Sequence, residues 1–235
     1  MKIEAPVVEG ILIKRYKRFL ADVELANGEI VTAHTPNTGS MKGCSDPGSR
    51  VWLYDTQNSQ RKYPYSWDLV EDLSGNLVGI HTGRANHIVK EGIELGVITE
   101  LAGYETLKAE VKFGSSNCRF DLFLSNNLQQ PDCFVEVKNV TAKDDNGLAM
   151  FPDAVTKRGT KHLETLAEVV KQGMRAMMVF CVQRQEVNIF RAAEEIDPVY
   201  AATLNAVQKQ GVEVVAYKSL ITPGEIRLAE KIKVL

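Results

Sequence analysis

The stretch RFDLFLSNNLQQPDCFVEVKNV, Arg119 to Val140, decides the fold. Arg119–Leu124 and Cys133–Lys138 are short runs rich in Val, Phe and Leu, bounded by Ser125-Asn126-Asn127 and Gln129-Gln130-Pro131-Asp132, which is the pattern of two strands joined by a polar turn. Each run carries charge inside apolar sequence. Asp121 lies between Phe120 and Leu122, and strand alternation puts Glu136 and Lys138, either side of Val137, on one face. Carboxylates are costly to bury unless they are paired or bind metal. Two carboxylates and a lysine converging from paired strands therefore predict a divalent-metal site with a cationic neighbour. The bland alternatives are an exposed ion pair between Glu136 and Lys138, worth under about 1 kcal/mol, and a turn-facing Asp121.

Outward from this stretch, the second half reads helix, three strands, helix, strand. An amphipathic helix is expected over Ala85–Leu101, despite Gly92 and Gly96, and a half-buried strand over Tyr104–Phe113. The turn Gly114-Ser115-Ser116-Asn117 joins that strand to the Asp121 strand, making a three-strand meander that ends at Lys138. A further helix runs from about Ala154 to Gln172, with Leu163, Leu166, Ala167, Val169 and Val170 as its apolar stripe and Gly173 as its C-cap. Its first half carries Lys157, Arg158, Lys161 and His162, cations placed against the macrodipole, as a phosphate-binding helix would keep them; a solvated face is the alternative. Ala176–Val182 is continuously apolar, as a strand buried on both faces would be. Pro198–Gln210 reads as a helix, Val212–Tyr217 as a strand and Glu225–Lys233 as a final short strand or helix. A helix-turn-helix around Gly211 is disfavoured, because a β-branched run follows where a recognition helix would start.

The first half is different in pattern. Gly10–Ile13, Phe19–Leu25, Ile30–His34, Val51–Asp55 and Trp67–Glu71 are short strands, and Asn27-Gly28 between two of them is a strong hairpin signal. About five strands in this space predict a small barrel of the oligonucleotide/oligosaccharide-binding (OB) type. The expected division is residues 1–82 for the barrel and 83–235 for the second domain. Lys14-Arg15-Tyr16-Lys17-Arg18 and Arg61-Lys62, followed by Tyr63, Tyr65 and Trp67, mix cations with aromatics as a single-strand groove does, or else protect a hairpin edge.

Bulk properties narrow the function classes. The 235 residues are 44% hydrophobic and 25% charged, as in an ordinary globular protein, with a net charge of −2 that supplies no global attraction to nucleic acid. No apolar run is long enough to span a bilayer and no signal-peptide pattern follows Met1, so no membrane partner and a cytoplasmic location are expected. Cys44, Cys118, Cys133 and Cys181 are far apart and form no zinc or disulfide pattern. His34, His81, His87 and His162 are not at metal-ligand spacing; His162 is read as phosphate-facing. The absence of a glycine-rich phosphate loop argues against nucleotide hydrolysis and nicotinamide chemistry.

The order of elements resembles the core of the PD-(D/E)xK nuclease superfamily, with Asp121 as the first ligand and Glu136-Val137-Lys138 as the E-x-K element. Longer segments are more specific. Gly114–Asp121, Val135–Thr141, Phe151–Gly159 and Thr35–Met41, with Arg15-Tyr16-Lys17-Arg18-Phe19, resemble signature segments of the sugar fermentation stimulation protein A family, over roughly Gly10 to Ala216. The resemblance implies an OB barrel joined to a nuclease-like α/β domain with a mixed sheet. It also implies a prokaryotic, cytoplasmic, DNA-binding protein concerned with regulation of sugar (maltose) metabolism. In a nuclease site, Asp121 and Glu136 with the Val137 carbonyl would hold Mg²⁺ or Mn²⁺, Lys138 would orient the water or steady the developing charge, and Lys157, Arg158 and His162 would grip neighbouring phosphates. Glu94, Glu100 and Glu110 are all open as a further acidic ligand. Three functions are weighed: a non-enzymatic DNA-binding regulator, a metal-dependent nuclease cleaving DNA or RNA, and carbohydrate binding in the barrel. Self-association as a homodimer is left open.

Overall fold

The computed structural model describes residues 1–3, 5–114 and 118–235. The turn expected over residues 115–117 therefore lies outside the described residues. Six strands make up the first half: β1 (Val7–Tyr16), β2 (Leu20–Leu25), β3 (Ile30–His34), β4 (Arg50–Asp55), β5 (Tyr65–Glu71) and β6 (Leu77–Gly79). They are ordered β3-β2-β1-β4-β5-β6, and β3 also pairs in parallel with β5, which closes five of them into a barrel and leaves β6 appended to β5. The Asn27-Gly28 hairpin forms as the sequence predicts: Gly28 has φ +81°, and β2 and β3 pair antiparallel across it. The β1–β2 turn is tighter than expected, with Lys17 and Arg18 both at positive φ (48° and 66°), an uncommon conformation for residues with a Cβ. Inward residues of alternating strands, among them Leu12, Val23, Val51, Leu53, Trp67 and Val70, fill the barrel.

The second half consists of α1 (Ala85–Glu94), β7 (Thr106–Lys112), β8 (Arg119–Ser125), β9 (Cys133–Val140), β10 (Ala149–Phe151), α2 (Lys157–Lys171), β11 (Arg175–Val182), β12 (Ile189–Ala192), α3 (Pro198–Lys209), β13 (Glu213–Thr222) and β14 (Glu225–Val234). Their eight-stranded mixed sheet is ordered β10-β12-β14-β13-β11-β9-β8-β7. β9, β11 and β13 run parallel at its centre, whereas β7, β8 and β9 form the antiparallel meander. β11 is buried from Ala176 to Val182, which explains its unbroken apolar sequence.

The first helix is shorter than the expected 85–101. It ends at Glu94, and Gly96 at φ +72° turns the chain before a separate 3₁₀ turn over Thr99–Leu101. α2 starts at Lys157 rather than Ala154, because Thr156 is its N-cap and accepts a hydrogen bond from the Gly159 N–H. The last element is a strand, paired antiparallel with β13. β10 and β12 were not expected; three and four residues are too short for periodicity to mark.

Helices α2 and α3 cover one face of the sheet and α1 the other. The core under α1 also takes in Trp52, Tyr54 and Leu69 from the barrel, together with Leu122, Val135 and Val137 of β8 and β9. The Tyr54 hydroxyl donates to the Pro223 carbonyl at 2.6 Å, and Gly79 N–H donates to the Gln183 carbonyl at 3.1 Å. Barrel and sheet thus share apolar packing as well as polar contacts.

Candidate metal and phosphodiester site

Asp121 sits where the β8–β9 ladder stops. The register ends at Leu122↔Val135, and the next free N–H of β9, that of Val137, donates to Asp121 Oδ2 at 2.7 Å. A side-chain carboxylate replaces a ladder carbonyl, so the two strands separate beside the acidic residue. Phe120 and Leu122, on either side of Asp121, belong to different cores, which shows that β8 changes face there. The other oxygen, Asp121 Oδ1, accepts from Asn86 Nδ2 of α1 at 2.7 Å.

Glu136 points toward α2 and is 2% exposed. Lys138 Nζ donates to its Oε1 at 2.5 Å, as the same-face reading predicts, and His162 Nδ1 of α2 meets the same oxygen. Glu136 Oε2 is buried and, among the described residues, has no hydrogen-bond partner. Burial pushes the Asp121 carboxyl up and the nearby Glu136 charge pushes it further, to about 6, against the opposing pull of Val137 N–H, Asn86 and Lys138. Burial acts the same way on Glu136, but His162 and Lys138 outweigh it and hold that carboxyl below its ordinary value. One carboxylate is thus kept ionised while its neighbour is held near neutrality.

These residues fit a hard divalent cation. Two carboxylates close enough to repel, one with a buried unpartnered oxygen, offer the oxygen donors that Mg²⁺, Mn²⁺ and Ca²⁺ take. The Val137 carbonyl lies on the same strand edge as its N–H, which faces Asp121. No group of three or more His, Cys, Asp and Glu side chains is arranged for a metal among the described residues, so any such set would rest on the two carboxylates and backbone.

The three glutamates left open by the sequence face other partners. Glu100 accepts from Tyr217 at 2.7 Å and Lys231 at 2.5 Å, Glu110 faces Arg119 at 3.8 Å, and Glu94 faces Lys90 at 3.7 Å. Asn86 fills the helix position beside Asp121 instead. Sequence reasoning missed it because an amide on a polar helix face carries no charge signal.

The sequence-predicted cations divide into three groups. Lys157 and Arg158 are exposed at the start of α2, and Arg158 Nε reaches His162 Nε2 at 3.4 Å. His162 is therefore buried against Glu136, not turned outward to a phosphate as expected. On the barrel, Arg15 donates to the carbonyls of Asn37 at 3.1 Å and Gly39 at 2.9 Å, and Arg18 Nη2 to that of Thr38 at 2.9 Å. Lys14 and Tyr16 are tied to Asp22, at 3.5 and 2.9 Å. Arg15, Arg18 and Tyr16 thus hold structure together, while Lys17 is exposed on the turn. Arg61 and Lys62 are exposed, with Lys62 over the Tyr63 ring at 5.5 Å. The loop that Arg15 grips is also tied to the second half, since Ser40 N–H donates to Asp153 Oδ2 at 2.8 Å.

A five-stranded closed barrel joined to a mixed-sheet domain whose strand pair carries D…E-x-K defines an OB barrel fused to a PD-(D/E)xK nuclease-like domain. Residues 13–80 match the family described as the SfsA N-terminal OB domain, and residues 83–225 that described as the sugar fermentation stimulation protein RE domain. The chain belongs to the sugar fermentation stimulation protein family. The homolog from Hahella chejuensis is 51% identical over 234 residues, covering 100% of this chain and 97% of the relative. That from Geobacter sulfurreducens is 50% identical over 235 residues, covering 100% and 99%. The solved structure of Pyrococcus furiosus SfsA in complex with Ca²⁺ superimposes with a TM-score of 0.87 at 27% identity, covering 100% of this chain and 98% of that one. No helix among the described residues is long and apolar enough to cross a membrane.

Proposed function

We propose that this chain binds nucleic acid through local cations rather than by bulk charge, and hydrolyses its phosphodiesters at the Asp121–Glu136 site with a divalent cation. The observation that carries this reading is the buried Glu136 Oε2, which has no hydrogen-bond partner among the described residues, beside a second carboxylate. The solved P. furiosus relative with Ca²⁺ supports a divalent cation for the site. Asp121, Glu136 and the Val137 carbonyl would hold Mg²⁺ or Mn²⁺, which when bound would polarise the phosphodiester and acidify an attacking water. Lys138, which donates to Glu136, would donate to the charge that develops on the phosphoryl oxygens. His162 fixes Glu136 at the same oxygen, Oε1, that Lys138 meets, and Lys157 and Arg158 would present their charges to flanking phosphates from the start of α2.

A second reading, DNA binding without cleavage in the regulation of sugar (maltose) metabolism, is favoured by one observation: the position beside Asp121 holds Asn86 and not a third carboxylate. Labelled single- and double-stranded DNA and RNA incubated with Mn²⁺ separate the two. Cleavage by the wild type that Asp121→Ala and Glu136→Ala both lose is expected. Cleavage of equal rate in all three proteins, or salt-sensitive binding with no cleavage in any, overturns the hydrolytic reading; the latter leaves the binding role standing.

A further inference from the structure

A cavity of about 320 Å³ opens between the barrel loop that Arg15 grips and the end of β9, and two of its lining residues, Asn86 and Val137, also hold Asp121 of the metal and phosphodiester site. Its walls are apolar at Pro36, Val137 and Met150 and carry amides at Asn37, Asn86 and Asn139. Asn86 is the residue that donates to Asp121, and Val137 supplies the N–H that the same carboxylate accepts. Anything seated here therefore lies against a group bound at that site.

The wall chemistry narrows the occupant. Among the described residues no lysine or arginine lines the cavity, and the one charged wall residue, Asp153, has Oδ2 committed to the Ser40 N–H. A phosphate is thus disfavoured in the cavity itself. The amides are oriented by the protein at one end and free at the other. Asn37 Oδ1 accepts from Gly39 N–H at 3.0 Å, and Asn139 Oδ1 accepts from Gln183 Nε2. Among the described residues, the Nδ2 groups of Asn37 and Asn139 and the Oδ1 of Asn86 make no protein hydrogen bond. Asn37 is 4% exposed and lines the cavity. Fixed, uncharged donors and acceptors between apolar walls suit the edge and faces of a flat heterocycle. The volume is at the small end of ligand pockets.

We infer that this cavity receives a single nucleobase, extruded from the strand whose phosphate occupies the Asp121–Glu136 site, and reads its edge through Asn37 and Asn139. The inference rests on the nucleic-acid reading above and adds the substrate feature: a base that can be unstacked. Extrusion costs unstacking and unpairing, least at a mismatch or in a single strand, so those substrates are preferred.

The test uses the full chain with Ca²⁺ and a duplex carrying an end label and one central 2-aminopurine, paired or mismatched. Anisotropy of the label reads binding of the strand, and 2-aminopurine fluorescence reads unstacking. The wild type should bind both duplexes, raise the 2-aminopurine signal several-fold, and bind the mismatched duplex more tightly. Asn37→Asp and Asn139→Asp keep the oxygens that accept from Gly39 and Gln183 but remove the free Nδ2 donors, and a thermal melt of each variant checks that it folds. Each should lose most of the fluorescence rise and the mismatch preference while still binding the duplex. Wild-type binding with unchanged fluorescence, or a rise that both variants retain, overturns the base-pocket inference and leaves the nucleic-acid reading intact. Absence of duplex binding overturns both. A fluorescence change with free 2-aminopurine nucleotide but none with the duplex overturns the assignment to a strand.

Discussion

Asp121 and Glu136 are two carboxylates of one site that the fold drives to opposite protonation behaviour. The linkage for Asp121 has a definite sign. Its folded-state carboxyl is pushed up to about 6, above its ordinary value of 3.8, so the folded state binds the proton more tightly than the unfolded one. In chelator, stability should fall as pH rises from about 4 to about 6, by up to about 3 kcal/mol at about 1.4 kcal/mol per unit. Asp121→Asn should remove this fall and be the more stable protein at pH 8. Denaturant melts across pH read this; parallel profiles for the two proteins would refute it. The sequence made both carboxylates legible, because charge inside an apolar strand is conspicuous. It could not show His162 on Glu136 or Asn86 on Asp121, since both contacts come from helices brought against the strands by tertiary packing.

At the scale of elements, β8 and β9 were readable from alternation and turn residues, while β10 and β12 were not, their few residues being ordered by neighbours rather than by their own pattern. The loop from Thr35 to Met41 illustrates a different limit. Its turn-forming composition was plain, but its anchoring by Arg15 to the carbonyls of Asn37 and Gly39 joins residues more than twenty positions apart. Arg15 and its neighbours looked like a phosphate-binding patch because a cation's partner is invisible in sequence. The planar guanidinium reaches both carbonyls at once, which a lysine ammonium does less well. Arg15→Lys should therefore loosen the loop without unfolding the barrel. Losing about 1.5 kcal/mol corresponds to amide exchange over residues 38–41 faster by about tenfold. Unaltered exchange would show that the Ser40–Asp153 contact holds the loop by itself.

Across the whole molecule, a buried ionic network ties the halves together. Arg184, 1% exposed and following β11, donates to Asp72 Oδ2 at 2.9 Å, and Lys143 reaches the same oxygen at 3.0 Å. Burial would raise the Asp72 carboxyl, but the Asn76 backbone N–H and the two cations hold it far below its ordinary range. Its contribution to stability is therefore present above the unfolded carboxylate pKa and lost as pH falls. Asp72→Asn keeps the shape and the turn contacts but leaves Arg184 with Glu186 alone, at 2.7 Å, and should cost about 1–3 kcal/mol near neutrality, with the deficit narrowing in acid. An equal deficit at all pH values would count against the ionic origin. The two-part organisation was legible as a change from short strands to alternating helices and strands; the joint between the parts was not, because Asp72 and Arg184 are 112 positions apart. The core that admits Trp52, Tyr54 and Leu69 alongside Val135 and Val137 has a consequence for dissection. A fragment ending at the barrel would bare two large aromatic rings, and a fragment beginning at α1 would uncover the strands on which the acidic residues stand. Each excised piece would be sticky and poorly ordered, so negative results from isolated halves would speak of the cut and not of the intact chain's chemistry.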